Sequence, residues 1–193
     1  MLIKTLAVGQ LETNCYIVTN ENSLECVVID PGDESCTIMN YIEEMKLTCR
    51  AIMITHGHFD HVGALESVME ETGAPVYFNE RDAKDFKNFL NYDDGDEIDV
   101  AGMKFKILAT PGHTPGGVTI IVDDAMFTGD TLFRGSCGRT DLPGGNIEDL
   151  MKSLKKICMI EGNYEVYPGH MDSSLLIRER DFNFYCRKAM QNY

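Results

Sequence analysis

No stretch of the 193-residue sequence approaches the roughly 20 consecutive apolar residues that a membrane-spanning helix needs. The opening MLIKTLAVGQ holds one lysine and breaks at Gly9, so it lacks both the apolar length and the small-residue cleavage site of a secretory signal. Nor is there a run of lysine or arginine. The chain has 17 basic and 31 acidic residues, for a formal net charge of -14, and offers no stripe for a nucleic-acid backbone or an anionic membrane. Its seven cysteines are odd in number, scattered, and include no CxxC pair. That pattern suits a reducing compartment better than a disulfide framework, and most of them read as small buried apolar residues. Low-complexity segments, Pro/Ser-rich linkers and blocks of like charge are also missing, so no domain boundary is visible. The expectation is a cytoplasmic chain whose residues 1–193 form one domain, with neither nucleic acid nor membrane as partner.

With 44% hydrophobic and 25% charged residues, the composition is that of an ordinary globular protein. A chain of this length should bury roughly 70% of the surface its unfolded form exposes, so any bound metal serves chemistry rather than core formation. Apolar runs predict strands over residues 26–30, 51–55, 75–78, 117–122, 125–128 and 165–167. EIDV and MKFKIL alternate on either side of Ala101-Gly102, which predicts a two-residue hairpin. Helical spacing predicts helices over 37–46, 63–71, 147–158 and much of 174–188. Strands interleaved with helices, some joined by hairpins and some by crossovers, predict mixed sheets covered by helices in an α/β layered fold. The acidic stretch Asp93–Glu97 lacks the spaced ligands of a calcium loop and reads as a solvated turn.

Histidine is scarce, and all five residues fall in short segments that follow apolar strands. His56, His58, Asp60 and His61 cluster in THGHFDH, where Gly57 lets the backbone turn sharply enough for His56 and His58 to converge. These four donors within six residues cannot all reach one small ion, and a tetrahedral site accepts only four ligands, so two adjacent sites are expected. ILATPGH, AMFTGD and YEVYPGH repeat one design, an apolar strand followed by glycine and then His113, Asp130 or His170. Strand ends are where α/β sheets carry their sites. Imidazoles and carboxylates without thiolate suit zinc, iron or manganese. Two divalent ions are expected, zinc first, offsetting about four negative charges where an anionic substrate must approach. Asp130 can give one oxygen to each ion.

This ordered set resembles the metallo-β-lactamase superfamily, whose HxHxDH motif and later His, Asp and His are matched by His56, His58, Asp60, His61, His113, Asp130 and His170. The resemblance covers nearly the whole chain. It implies an αββα sandwich of two mixed sheets, with one metal on His56, His58 and His113, another on Asp60, His61 and His170, and Asp130 bridging. Asp30 in VVIDPG matches the family's early supporting aspartate. TPGHTPGG and FTGDTLFRGSCGRTDLPGG are similar to the glyoxalase II group, the hydroxyacylglutathione hydrolases, in a short form: about 23 residues follow His170, where the full-length enzyme carries a helical glutathione-binding domain. β-Lactamases typically carry cysteine where Asp130 stands and are exported, so that activity is not expected. Met171 and Phe184 stand where the short forms commonly have glycine and proline.

The resemblance implies a thioester hydrolase in which a metal-bridging water, its pKa lowered, attacks the acyl carbon while the metals stabilise the oxyanion. Asp60 would orient that water or relay its proton. Arg139, matching a basic residue of the glyoxalase II loop, and Arg134 are candidate contacts to a small thioester substrate; Arg139 can equally pair with Asp141. Persulfide dioxygenases, similar over Ser136-Cys137-Gly138-Arg139-Thr140-Asp141, offer an alternative reading with a single iron. A catalytically silent binding module is a third. Oligomeric state is left open.

Overall fold

Near-continuous apolar runs at residues 15–18, 26–29, 51–54, 118–122 and 125–127 bury both faces of the central strands, and the packing uses both. The computed structural model describes residues 1–84 and 86–193. The first half contains β1 (Leu2–Val8), β2 (Thr13–Asn20), β3 (Glu25–Ile29), α1 (Ser35–Glu44), β4 (Thr48–Met53), α2 (Phe59–Val62), α3 (Leu65–Thr72), β5 (Val76–Phe78) and β6 (Leu90–Asn91). Its six strands lie in sequence order, antiparallel through β3 and parallel from β3 to β6. The second half contains β7 (Glu97–Val100), β8 (Met103–Ala109), β9 (Val118–Val122), β10 (Ala125–Gly129), the ribbon β11 (Leu132–Phe133) and β12 (Ser136–Cys137), α4 (Ile147–Cys158), β13 (Glu165–Pro168), β14 (Ser174–Leu175), α5 (Leu176–Phe182) and α6 (Phe184–Asn192). Its sheet has the order β14-β13-β10-β9-β8-β7, and only β10 and β13 pair in parallel.

Three apolar clusters divide the molecule into four layers. Tyr16, Val18, Val27, Ile29 and Met53 of the first sheet meet Phe105, Ile107, Ile120 and Phe127 of the second. The opposite face of the first sheet, with Ile17, Val28 and Ile52, packs on Ile38 and Ile42 of α1 and on Leu65 and Val68 of α3. Met126 and Val166 turn the other way, onto Leu150, Leu154 and Ile157 of α4 and Cys186 and Ala189 of α6. The expected αββα sandwich is therefore the observed fold. No helix among the described residues is long and apolar enough to cross a membrane.

The predicted strands and α4 stand within a few residues of expectation. Ala101 and Gly102 have φ of 53° and 67°, as a two-residue hairpin of the type with two left-handed positions requires. The helix expected over 63–71 is α3, and a separate short turn of helix before it, α2, holds His61. Much of 174–188 is helical as expected, but β14 takes its first two residues and α5 and α6 are divided at Asn183, whose ψ of 120° is extended. The hairpin β1–β2 and the short strands β6, β11, β12 and β14 have no counterpart among the predictions. The acidic turn is a turn: Asp93 N–H donates to Asp96, and Asp94 accepts from Ala109 N–H and Lys156.

Candidate metal centre

Chain direction assembles the site. β9 is antiparallel to both β8 and β10, and β10 is parallel to β13, so the chain leaves β8, β10 and β13 at one edge of the second sheet. His113, Asp130 and His170 follow those three ends. β3 and β4 run parallel in the first sheet and place Asp30 and the THGHFDH segment at the facing edge. Gly169 is needed there, because a Cβ on it would lie 2.2 Å from Asp130 Oδ1 and 2.6 Å from His61 Cε1. Gly57 has no left-handed φ. Its service is room rather than a sharp bend, since a Cβ would stand 2.6 Å from the Asp82 carbonyl.

Outer partners set the tautomers. Asp30 is buried and accepts from Thr55 N–H at 2.7 Å, Thr55 Oγ1 at 2.6 Å and His61 Nδ1 at 2.9 Å. Since Thr55 Oγ1 donates to Asp30, it accepts from His56 Nδ1 at 3.1 Å. His113 Nδ1 donates to the Arg139 carbonyl at 2.7 Å, and His170 Nδ1 to the Leu11 carbonyl at 3.2 Å. Each of these four rings thus turns its Nε2 inward, the arrangement that partners behind metal-binding histidines produce.

Inside, His113 Nε2 stands 2.8 Å from His58 Nδ1 and Asp60 accepts from Thr13, but three donor atoms lack partners. His56 Nε2, His61 Nε2 and Asp130 Oδ1 are buried and make no hydrogen bond. Buried polar atoms left unpaired cost about 1–3 kcal/mol each, and three together call for something to bind. Asp130 Oδ1 lies 3.4 Å from His61 Nε2, and Oδ2 lies 3.4 Å from His113 Nε2 and 3.6 Å from His170 Nε2. Such spacings are long for hydrogen bonds but suit tetrahedral ligands about 2.0–2.1 Å from one ion, which stand roughly 3.4 Å apart. Among the described residues, His56, His58 and His113 form one group whose donor atoms lie within 4.8 Å of one another, and Asp60, His61 and His170 form another. A third grouping contains Asp30, but its carboxylate is already committed to Thr55 and His61. The residues fit two cations.

Electrostatics agree with that fit. Burial pushes the His61 imidazolium down, yet Asp130 and Asp30 outweigh it and raise the group to about 10. The position is one that demands positive charge. Burial and the neighbouring histidines hold His56 well below its ordinary value, and burial with His113 lowers His58. Asp60 and Asp130 lie below the carboxylate range: burial would raise both, but His170, His61 and Thr13 around Asp60, and the nearby His61, His170 and His113 around Asp130, prevail. His170 is raised, chiefly by its hydrogen bond to Asp60.

A match to the metallo-beta-lactamase superfamily extends over residues 8–170. The chain belongs to that superfamily. Among superfamily relatives, "Probable metallo-hydrolase YqgX" of Bacillus subtilis is 34% identical over 93% of this chain and 95% of its own. "Hydroxyacylglutathione hydrolase GloC" of Haemophilus influenzae is 31% identical over 95% and 97%. Solved superfamily structures that it resembles include TTHA1623 in a di-iron-bound form (TM-score 0.85, 32% identity, 94% of this chain and 99% of that one). ETHE1 from Myxococcus xanthus gives 0.87 at 28% identity, over 100% and 92%, and the B3 metallo-β-lactamase BLEG-1 gives 0.90 at 28%, over 96% and 99%. Fold and length therefore do not separate lactamase from thioesterase. The chain is a metal-dependent enzyme of the metallo-hydrolase superfamily.

The structure draws all seven ligand candidates together and adds neighbours that had no motif to reveal them. Thr13 Oγ1 donates to Asp60 at 3.0 Å, and Asp82 accepts from Gly57 N–H and Gly116 N–H. Of the predicted substrate arginines, Arg139 pairs with Asp141 through Nε and Nη2, both at 2.6 Å, and Arg134 with Asp172 at 2.9 Å, all four side chains being exposed.

Proposed function

We propose that the protein hydrolyses a thioester of the hydroxyacylglutathione type at a centre of two divalent metals. His56, His58 and His113 would hold one ion and Asp60, His61 and His170 the other, with Asp130 between them. The unpartnered inward Nε2 and Oδ1 atoms carry this reading, and the likeness to GloC supports the substrate class. When bound, the ions supply an activated water and Lewis acidity toward the acyl oxygen. Asp130 turns one oxygen toward His61 and the other toward His113, as a shared ligand should. Asp60 is partly open to a cleft of about 440 Å³ and is held as a carboxylate by Thr13 and His170. It is the group placed to take and pass on the proton of the attacking water. The thiolate departs without protonation, so no separate acid is required. Zinc is the metal we place first.

Metal analysis joined to a substrate panel tests this. About two metals per chain and oxygen-independent thioester turnover are expected, with His61→Ala and His170→Ala losing at least about a hundredfold in kcat/KM. One iron per chain, with oxygen uptake on a glutathione persulfide, would instead establish the dioxygenase reading, which rests on Ser136–Asp141 and the likeness to ETHE1. β-Lactam turnover exceeding that of every thioester would sink both.

A further inference from the structure

Two recesses flank the donor cluster, and their walls differ in charge. The 440 Å³ cleft on the Asp60 side is bounded by Leu11, Thr13, Phe59 and two carboxylates, Asp33 and Asp60. The other, about 200 Å³, lies on the His58 side between Arg81, Lys84, Pro115 and Gly144. Asp82 also lines it, but its two oxygens accept from the backbone N–H groups of Gly57 and Gly116, at 3.1 and 2.7 Å. Among the described residues, Arg81 pairs with Asp93 alone, at 3.8 Å, with both side chains about half exposed. A contact of that length between solvated groups contributes little and leaves the guanidinium available. Lys84 is exposed and makes no ion pair with another described residue. Arg134 lines a different recess, with Ser174 and Arg178, Arg139 holds Asp141 through two hydrogen bonds of 2.6 Å, and Arg81 and Lys84 are the cations among the lining residues of this one. On a chain of net charge -14, an anionic substrate must find its complement locally.

We infer that Arg81 and Lys84 form the subsite for an anionic thiol carrier, so that the leaving thiolate lies on the His58 side and the acyl group beside Asp60. The inference rests on the thioesterase reading. Carboxylates, as in a tripeptide thiol, and phosphates, as in a nucleotide thiol, share the required chemistry: guanidinium grips either with paired hydrogen bonds, and ammonium adds a point charge. An acidic wall on the other side disfavours the reverse orientation.

The test uses the metal-loaded full chain with S-lactoylglutathione, acetyl-CoA and the uncharged S-acetyl-N-acetylcysteamine. In the Arg81→Gln/Lys84→Gln double variant, the kcat/KM ratio of an anionic to the neutral substrate should fall about tenfold, through KM. The substrate whose ratio falls identifies the carboxylate or the phosphate carrier. Lys152→Gln, an exposed change on α4, should leave both ratios in place. An unchanged ratio for both anionic substrates in the double variant overturns the subsite, and so does an equal fall in Lys152→Gln. Calorimetric binding of S-methylglutathione and of coenzyme A gives a second readout, with affinity for one of them expected to drop about tenfold in the double variant. If no thioester is turned over, the thioesterase reading fails, and the calorimetry still decides the subsite: undiminished affinity for both ligands refutes it.

Discussion

At the scale of single residues, the most consequential side chain is one that need not touch metal. Asp30 sits at φ 52° and satisfies Thr55 N–H, Thr55 Oγ1 and His61 Nδ1 at once. Asp30→Ala would strand those donors in a buried site, for a loss of about 3 kcal/mol or more in unfolding free energy. It would also loosen metal binding roughly 10- to 100-fold, because the His61 ring loses its orienting partner. Urea denaturation and metal titration of the purified variant measure the two effects, and wild-type values for both would refute the assignment. Met171 is a different case. The sequence resemblance showed only that glycine is common there; the backbone supplies the reason, a left-handed φ of 71° on an exposed residue. That conformation costs a non-glycine residue about 1 kcal/mol, so Met171→Gly should raise stability by about that amount. A loss of stability in the same denaturation assay would show that the side chain makes a compensating contact.

At the scale of elements, the break between α5 and α6 is built rather than accidental. Helical spacing continues across it, so periodicity gives no sign of where the break falls. Asn183 is buried and stops it: its Oδ1 caps α6 through Tyr185 and Cys186 N–H, while its Nδ2 donates to the Phe133 and Ser136 carbonyls and to Glu179. Phe184 is then the first residue of α6, two-thirds exposed, a position where proline's fixed φ is favourable. Phe184→Pro should stabilise the protein by about 0.4–1 kcal/mol, chiefly by restricting the unfolded chain, and a lowered melting temperature would contradict this. Glu179 ties α5 to the ribbon. Burial would raise its pKa, but Ser174, Gly135 N–H, Asn183 and Arg178 together lower it. A depressed folded-state pKa contributes stability that is complete above the unfolded value, near 4.3, and is lost as pH falls through the folded one. The stability gap between wild type and Glu179→Gln should therefore be full at pH 7 and shrink below about pH 4; a gap independent of pH would show that the carboxylate charge contributes nothing.

At the scale of the whole molecule, three apolar clusters hold the sandwich and none depends on the donor cluster. Metal removal should therefore leave the fold in place while lowering its melting temperature, since a ligand at a thousandfold its Kd stabilises by about 4 kcal/mol. For a chain of this size, that is a fall of about 10 °C. After chelation, far-ultraviolet circular dichroism should be retained and unfolding should stay cooperative, with activity restored by about two equivalents of metal. Collapse of the secondary structure on chelation would mean that the metals are part of the core.

The candidate donors, the strands that carry them and the layered fold class are legible in the sequence, because these are written locally: donor types beside glycine, strand periods, and the hydrophobic pattern of α4. The sequence left open what depends on distant partners. That His113, Asp130 and His170 share an edge follows from the parallel sense of β8, β10 and β13, which no strand encodes alone. Thr13 was invisible because β2 lies 47 residues from Asp60 and carries no motif around the contact. Arg139 entered by resemblance as a substrate contact; in the fold Asp141 holds its side chain and its carbonyl orients His113. Arg81 and Lys84, unremarkable in sequence, are brought beside His58 by the loop after β5. Local chemistry specifies donors; packing between distant segments decides which atoms are left without a partner, and those unpartnered atoms mark the candidate metal centre.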